Sequence, residues 1–206
     1  LQADYFTNPA QAVCNADLVI FCMTVGAMPI IAEQIKSSLK PNTIVTDVGS
    51  VKEFVDQEMQ KVFGSHVRWI GSHPMAGGEK TGFGSAHSQL FENSTTIITP
   101  TQNSDLEALS TLKELWTSLG SRVVVYPPRK HDQLIAEISH LTHLTASALV
   151  NAVSEDSLEV RGPGFRDTTR VAAGSPSMWT EILIQNREPL LNSIESLQKE
   201  LSEIQT

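Results

Sequence analysis

The run Thr43-Ile44-Val45-Thr46-Asp47-Val48-Gly49-Ser50-Val51-Lys52 decides the fold class. Its first half is rich in β-branched residues and reads as a buried strand, and Gly49-Ser50 turns the chain. Residues 51–63 then carry Val55, Met59 and Phe63 at helical spacing, so a strand hands over directly to an amphipathic helix. That handover is the repeating unit of α/β sheets whose two faces are both covered.

Working outward, residues 18–22, 67–71, 95–99 and 122–126 are further strand candidates. Residues 29–39 (Ile30, Ile31, Ile35, Leu39) and 105–119 (Leu109, Leu112, Leu115, Leu119) are expected helices. Pro127-Pro128 ends the last strand, because proline cannot donate to a ladder, and the domain boundary is placed there. Beyond it, Leu134, Ile135, Ile138, Leu141, Leu144, Ala148 and Leu149 predict one helix over residues 130–153. A Gly162-Pro163-Gly164 hinge follows. In the tail, Leu190, Ile194, Leu197, Leu201 and Ile204 are spaced 4, 3, 4, 3, the seam of a helix that packs on another helix, in this chain or in a second copy. The fold class is therefore α/β followed by all-α.

Composition restricts the partners. Hydrophobic residues make up 40% of the 206, enough for a core and against disorder. With 15 basic and 23 acidic side chains the net charge is −8, which gives a nucleic acid or an anionic membrane no general attraction. An anionic small molecule would need a local arginine. No apolar run approaches the roughly 20 residues of a membrane span, and Cys22, inside Leu18-Val19-Ile20-Phe21-Cys22, reads as a buried reduced thiol of a cytoplasmic protein.

Ligands of open parallel sheets bind outside the carboxyl ends of the strands, so the chemistry is sought at residues 23–28, 48–52 and 72–87. Gly49 and Ser50 stand where backbone amides and a helix dipole attract an anion or a polarised oxygen; the structural alternative is that Ser50 only caps the helix. His73 leaves a strand next to a glycine-rich loop. It can take a proton from an alcohol while hydride leaves the same carbon, or simply satisfy loop backbone. In the helical half, His140 and His143 are three apart and share a face. They lack a third ligand at metal-site spacing, so hydrogen bonding to a carboxylate or to backbone is expected and metal is not. Arg166 and Arg170 flank Asp167, as a carboxylate clamp or as a structural ion pair. A Walker loop is excluded because Glu79 separates Gly78 from Lys80, and no G-x-G-x-x-G occurs.

Taken in order, five segments resemble the prephenate dehydrogenase family, which also includes arogenate dehydrogenases. They are the run from Asp47 to Lys52; His73-Pro74-Met75-Ala76-Gly77 on to Glu79-Lys80-Thr81-Gly82; His131-Asp132; Ser139-His140-Leu141-Thr142-His143; and Gly164-Phe165-Arg166-Asp167-Thr168-Thr169-Arg170 with Met178-Trp179. The resemblance covers nearly the whole chain. It implies a Rossmann-like NAD(P)-binding domain over residues 1–127, with its first βαβ part missing, and a helical substrate and dimerisation domain over residues 128–206.

The implied activity is NAD(P)-dependent oxidative decarboxylation of prephenate to 4-hydroxyphenylpyruvate in tyrosine biosynthesis, by a cytoplasmic homodimer with NAD favoured over NADP. The resemblance implies that His73 accepts the ring hydroxyl's hydrogen bond and that Ser50 orients it near the nicotinamide. It assigns Arg170 to a substrate carboxylate, His143 to a second such contact, and His140, Gly78 and Glu79 to the remaining substrate contacts. Thr24, Val25, Gly49 and Ser50 would lie against the cofactor.

The family's usual proline is replaced by Thr142. With no strand before residues 1–6 to carry the glycine fingerprint, the fragment is expected to bind cofactor poorly. Two alternatives remain at this point: an arogenate dehydrogenase, and a non-catalytic binding or dimerisation module on the same fold.

Overall fold

In the computed structural model, residues 4–77, 82, 84 and 86–205 are described. The chain forms two compact units, one of residues 4–76 and 86–131, the other of residues 77, 82, 84 and 132–205.

In the first unit, helix α1 (Pro9–Val13) precedes strand β1 (Leu18–Phe21), helix α2 (Ala27–Ile35), strand β2 (Ile44–Asp47), helix α3 (Glu53–Phe63) and strand β3 (Arg68–Trp69). β1, β2 and β3 are parallel, with Leu18 opposite Ile44 and Val45 opposite Trp69. After Ile70 the chain continues as β4 (Gly71–Pro74), which pairs antiparallel with β5 (Thr95–Thr99). Helix α4 (Leu106–Ser118) then leads to β6 (Arg122–Val125), parallel to β5. β1, β2 and β3 thus form a parallel sheet, as expected, and β4, β5 and β6 a second, mixed one. The run predicted at residues 67–71 splits at Ile70 between two sets of partners, because β5 enters against the direction of β4.

β2 is buried along its whole length, and its alternation sorts the core. Ile44 points with Ile70 and Ile98 to Ala108, Leu112 and Trp116 of α4. Val45 points with Phe21 and Trp69 to Met28, Ala32 and Ile35 of α2 and to Val55, Met59 and Phe63 of α3. Helices therefore cover both faces, and each fully buried large side chain stabilises the unit by about 1.5–3 kcal/mol. Asp105 caps α4 by accepting the Ala108 N–H at 2.7 Å. Leu119, expected on the buried stripe, lies beyond the helix and is exposed. Cys22 is exposed as well, since β1 stops at Phe21 and Cys22 opens the strand-end turn.

The second unit is helical. The expected helix over residues 130–153 is observed as α5 (Pro128–Ile135), whose residues up to His131 belong to the first unit, a π-helical turn (Ala136–His140) and α6 (Leu141–Ala152). The widened turn holds an extra residue and rotates everything after it, which explains why Ile138 is 65% exposed while Ala136 and His140 are fully buried. Short helices α7 (Glu155–Glu159) and α8 (Pro163–Thr169) lead to a 3-10 turn (Arg170–Ala173), then α9 (Pro176–Gln185) and α10 (Arg187–Ile204). On α10 only the first seam position, Leu190, is buried; Leu201 and Ile204 are exposed. No helix among the described residues is long and apolar enough to cross a membrane.

Candidate functional site

At the carboxyl end of β2, Asp47 is fully buried and is satisfied from three sides. Its Oδ2 accepts the Gly49 N–H at 2.9 Å and a short bond from the Lys52 ammonium, and its Oδ1 accepts the Ser72 N–H at 3.1 Å. Lys52, 1% exposed, also donates to the Ser72 carbonyl at 2.8 Å. A buried ion pair is tolerated when its remaining hydrogen-bonding capacity is met in this way. One carboxylate thereby fixes the residue before Ser50 and the residue before His73. The hydroxyl of Ser72 is held in turn by Thr46 Oγ1 at 2.8 Å and by the Trp116 indole N–H at 3.2 Å.

Ser50 is not the helix cap: α3 begins at Glu53 behind Lys52, and the half-buried Ser50 lies in the preceding turn. The Gly49 amide is committed to Asp47, so it does not offer the anion contact expected of it. Gly49 serves close packing instead, since a Cβ there would stand 2.8 Å from Asp47 Oδ2 and 3.0 Å from both Met28 Cε and Val25 Cγ1. That contact sets the turn after β2 against the turn after β1, where Val25 is buried and Thr24 is exposed. Two strand-end turns packed side by side at the carboxyl edge of a parallel sheet stand where ligands of such sheets bind.

His73, in β4 opposite Ile97, is 7% exposed. Its Nδ1 lies 2.8 Å from Nε2 of the fully buried His131, with ring centroids 5.1 Å apart. His131 belongs to α5 and to the same unit.

His140, His143 and Arg170 belong to the second unit. Asn186, 1% exposed, donates from Nδ2 to the Asp132 carbonyl at 2.8 Å and to His140 Nδ1 at 2.9 Å. Neutral His140 therefore carries its hydrogen on Nε2. His143 stacks on Trp179 at 3.6 Å and 9°, and His140 meets the same indole edge-on at 6.1 Å.

Burial lowers the His140 pKa to about 4 against the pull of Asp132, with His143 lowering it further. Burial also lowers that of His143, opposed by the Val171 backbone. Both rings are neutral at pH 7. His140 Nε2 and His143 Nδ1 are buried without a hydrogen-bond partner among the described residues, which leaves two polar atoms for a ligand to satisfy. Arg170, exposed, opens the 3-10 turn after α8. Gly78 and Glu79 lie outside the described residues.

Sequence reasoning missed the partnership of His131 with His73, the role of Lys52 and Asn186, and the stacking of Trp179. His131 and Lys52 did stand inside the quoted segments, whereas Asn186 carried no signal.

Residues 1–125 match the family described as prephenate dehydrogenase, nucleotide-binding domain, and residues 127–206 the family described as prephenate dehydrogenase, dimerization domain. A cyclohexadienyl dehydrogenase of Zymomonas mobilis is 34% identical over 98% of this chain and 72% of its own length. A prephenate dehydrogenase of Bacillus subtilis is 34% identical over all of this chain, which spans 56% of that relative. Among solved structures, prephenate dehydrogenase of Aquifex aeolicus in complex with hydroxyphenyl propionate and NAD+ superposes with a TM-score of 0.89 at 31% identity, over 97% of this chain and 72% of that one.

Proposed function

This chain belongs to the prephenate dehydrogenase family, and from that premise we propose that its protein oxidises and decarboxylates prephenate to 4-hydroxyphenylpyruvate with NAD. The observation that carries the reading is the shared carboxylate of Asp47, which holds the Ser50 turn and the His73 strand to one another at the sheet's carboxyl edge. When bound, the nicotinamide supplies the hydride acceptor.

His73 takes the proton of the ring hydroxyl at its Nε2, because Nδ1 is engaged with His131. Ser50 orients that hydroxyl, and Thr24, Val25 and Gly49 shape the wall on which the nicotinamide rests. Arg170 pairs with a substrate carboxylate. His140, a neutral donor through its unpartnered Nε2, fits the second carboxylate, and His143 is assigned to the same group beside it. Loss of carbon dioxide follows the oxidation downhill, since the ring becomes aromatic. The residues therefore need only orient, exclude water and accept one proton.

The protein acts as a homodimer through its helical unit, where Ile138, Leu149, Ile184 and Leu191 present exposed apolar side chains. The free thiols Cys14 and Cys22 favour a reducing, cytoplasmic setting. The test is NADH formation by the full-length protein carrying this sequence, with prephenate and arogenate in parallel. Turnover of prephenate at least tenfold above arogenate is expected. A preference for arogenate would reassign the substrate, and no NADH from either would remove the activity.

A further inference from the structure

The geometry points to His131 as the positioning residue that makes His73 a base, an inference that rests on the reaction proposed above. Two imidazoles 2.8 Å apart, Nδ1 of His73 to Nε2 of His131, share one hydrogen along that line. If His131 donates, neutral His73 must carry its own hydrogen on Nε2, and the nitrogen left for substrate can only give a proton. If His73 donates from Nδ1, its Nε2 holds a lone pair and can accept the hydroxyl proton. Proton abstraction therefore requires His131 to be the acceptor, with its own hydrogen on Nδ1. The orienting group is then a second imidazole where serine hydrolases use a carboxylate.

Both rings are set by structure that does not depend on substrate. His73 is fixed in β4 against Ile97, with the Ser72 backbone clamped on either side by Asp47 and Lys52. His131 is fully buried in α5. Protonation of His73 at Nε2 leaves the Nδ1 hydrogen in place, so the same bond strengthens as charge develops on the ring. Nothing has to reorganise during proton transfer.

The prediction separates a positioning role from a merely structural one. In the full-length protein, His131→Gln keeps an acceptor close to the position of Nε2 and should retain kcat within about threefold. His131→Phe fills the volume without an acceptor and should lower kcat by roughly 10- to 100-fold with KM little changed, the usual effect of removing an orienting partner. Histidine 15N NMR of the unmutated protein should show His73 in the Nδ1-H form, a readout that needs no turnover and no variant.

Loss of kcat in the Gln variant equal to that in the Phe variant would overturn the inference, and so would a His73 found in the Nε2-H form. Should the Phe variant fail to fold, the Gln variant and the 15N spectrum decide between the two outcomes. His73→Asn in parallel keeps the two layers apart: full turnover there defeats the assigned reaction role of His73, whereas impaired turnover there with an unaffected His131→Phe defeats only the role of His131.

Discussion

Replacing Lys52 by methionine removes the ammonium that neutralises a carboxylate with no access to water. Asp47 is fully buried and Lys52 is 1% exposed, so solvent cannot substitute for the lost partner. Asp47 Oδ2 and the Ser72 carbonyl each lose a charged donor. A hydrogen bond to a charged group is worth about 1.5–3 kcal/mol, and breaking one side of a buried ion pair costs about 3–5 kcal/mol. Because Asp47 keeps the amides of Gly49 and Ser72, a loss near 3 kcal/mol is expected for the α/β unit.

Urea unfolding measures that loss, and faster amide hydrogen exchange at Gly49 and Ser72 locates it. The double variant Asp47→Asn, Lys52→Met should be less damaged than the sum of the singles, by about 1 kcal/mol or more, because the stranded charge is gone. A cost below about 1 kcal/mol for Lys52→Met, or strict additivity in the cycle, would refute the view that this pair fastens the two site segments together.

His140 makes the helical unit acid-sensitive: its pKa falls from 6.5 unfolded to about 4 folded, so the unfolded chain binds the extra proton. Its contribution is complete above about pH 6.5 and is lost as pH falls toward 4, about 3 kcal/mol in all; urea midpoints measured across that window should flatten in His140→Gln. Gly174→Ala would place a Cβ 2.5 Å from Trp179 Nε1 and 3.4 Å from His143 Cε1. It should cost about 1–3 kcal/mol and change the near-ultraviolet circular dichroism of Trp179 as the stack with His143 opens. Arg170→Ala should raise KM for prephenate by about 10- to 100-fold with a smaller effect on kcat, and an unaltered KM would make Arg170 structural.

Much of the first unit is legible in the sequence, because two-residue alternation and helical spacing are properties of the chain itself. The strands at Leu18–Phe21, Ile44–Asp47 and Thr95–Thr99 fall where β-branched runs place them, and α3 and α4 where their apolar stripes do. What escapes is whatever depends on a distant partner. The antiparallel entry of β5 and the split at Ile70 are set by which strand lies alongside, and residues 67–71 contain no sign of it. The π-helical turn at Ala136–His140 leaves the hydrophobic period intact up to Ile135 and then shifts its phase, which misplaces Ile138. Ser50 looks like a cap because serine commonly is one; only the position of Lys52, folded back onto Asp47, shows that the helix starts later. His73 could be singled out from its place at a strand's end, but its contact with His131, fifty-eight positions away, exists only in three dimensions.

The most direct test of the account is the turnover of His73→Asn in the full-length protein at saturating prephenate and NAD. Removal of a general base should lower kcat by roughly a hundredfold to ten-thousandfold, about 3–5 kcal/mol, while NAD affinity stays within a fewfold of the unmutated value. A kcat equal to that of the unmutated protein would contradict the account.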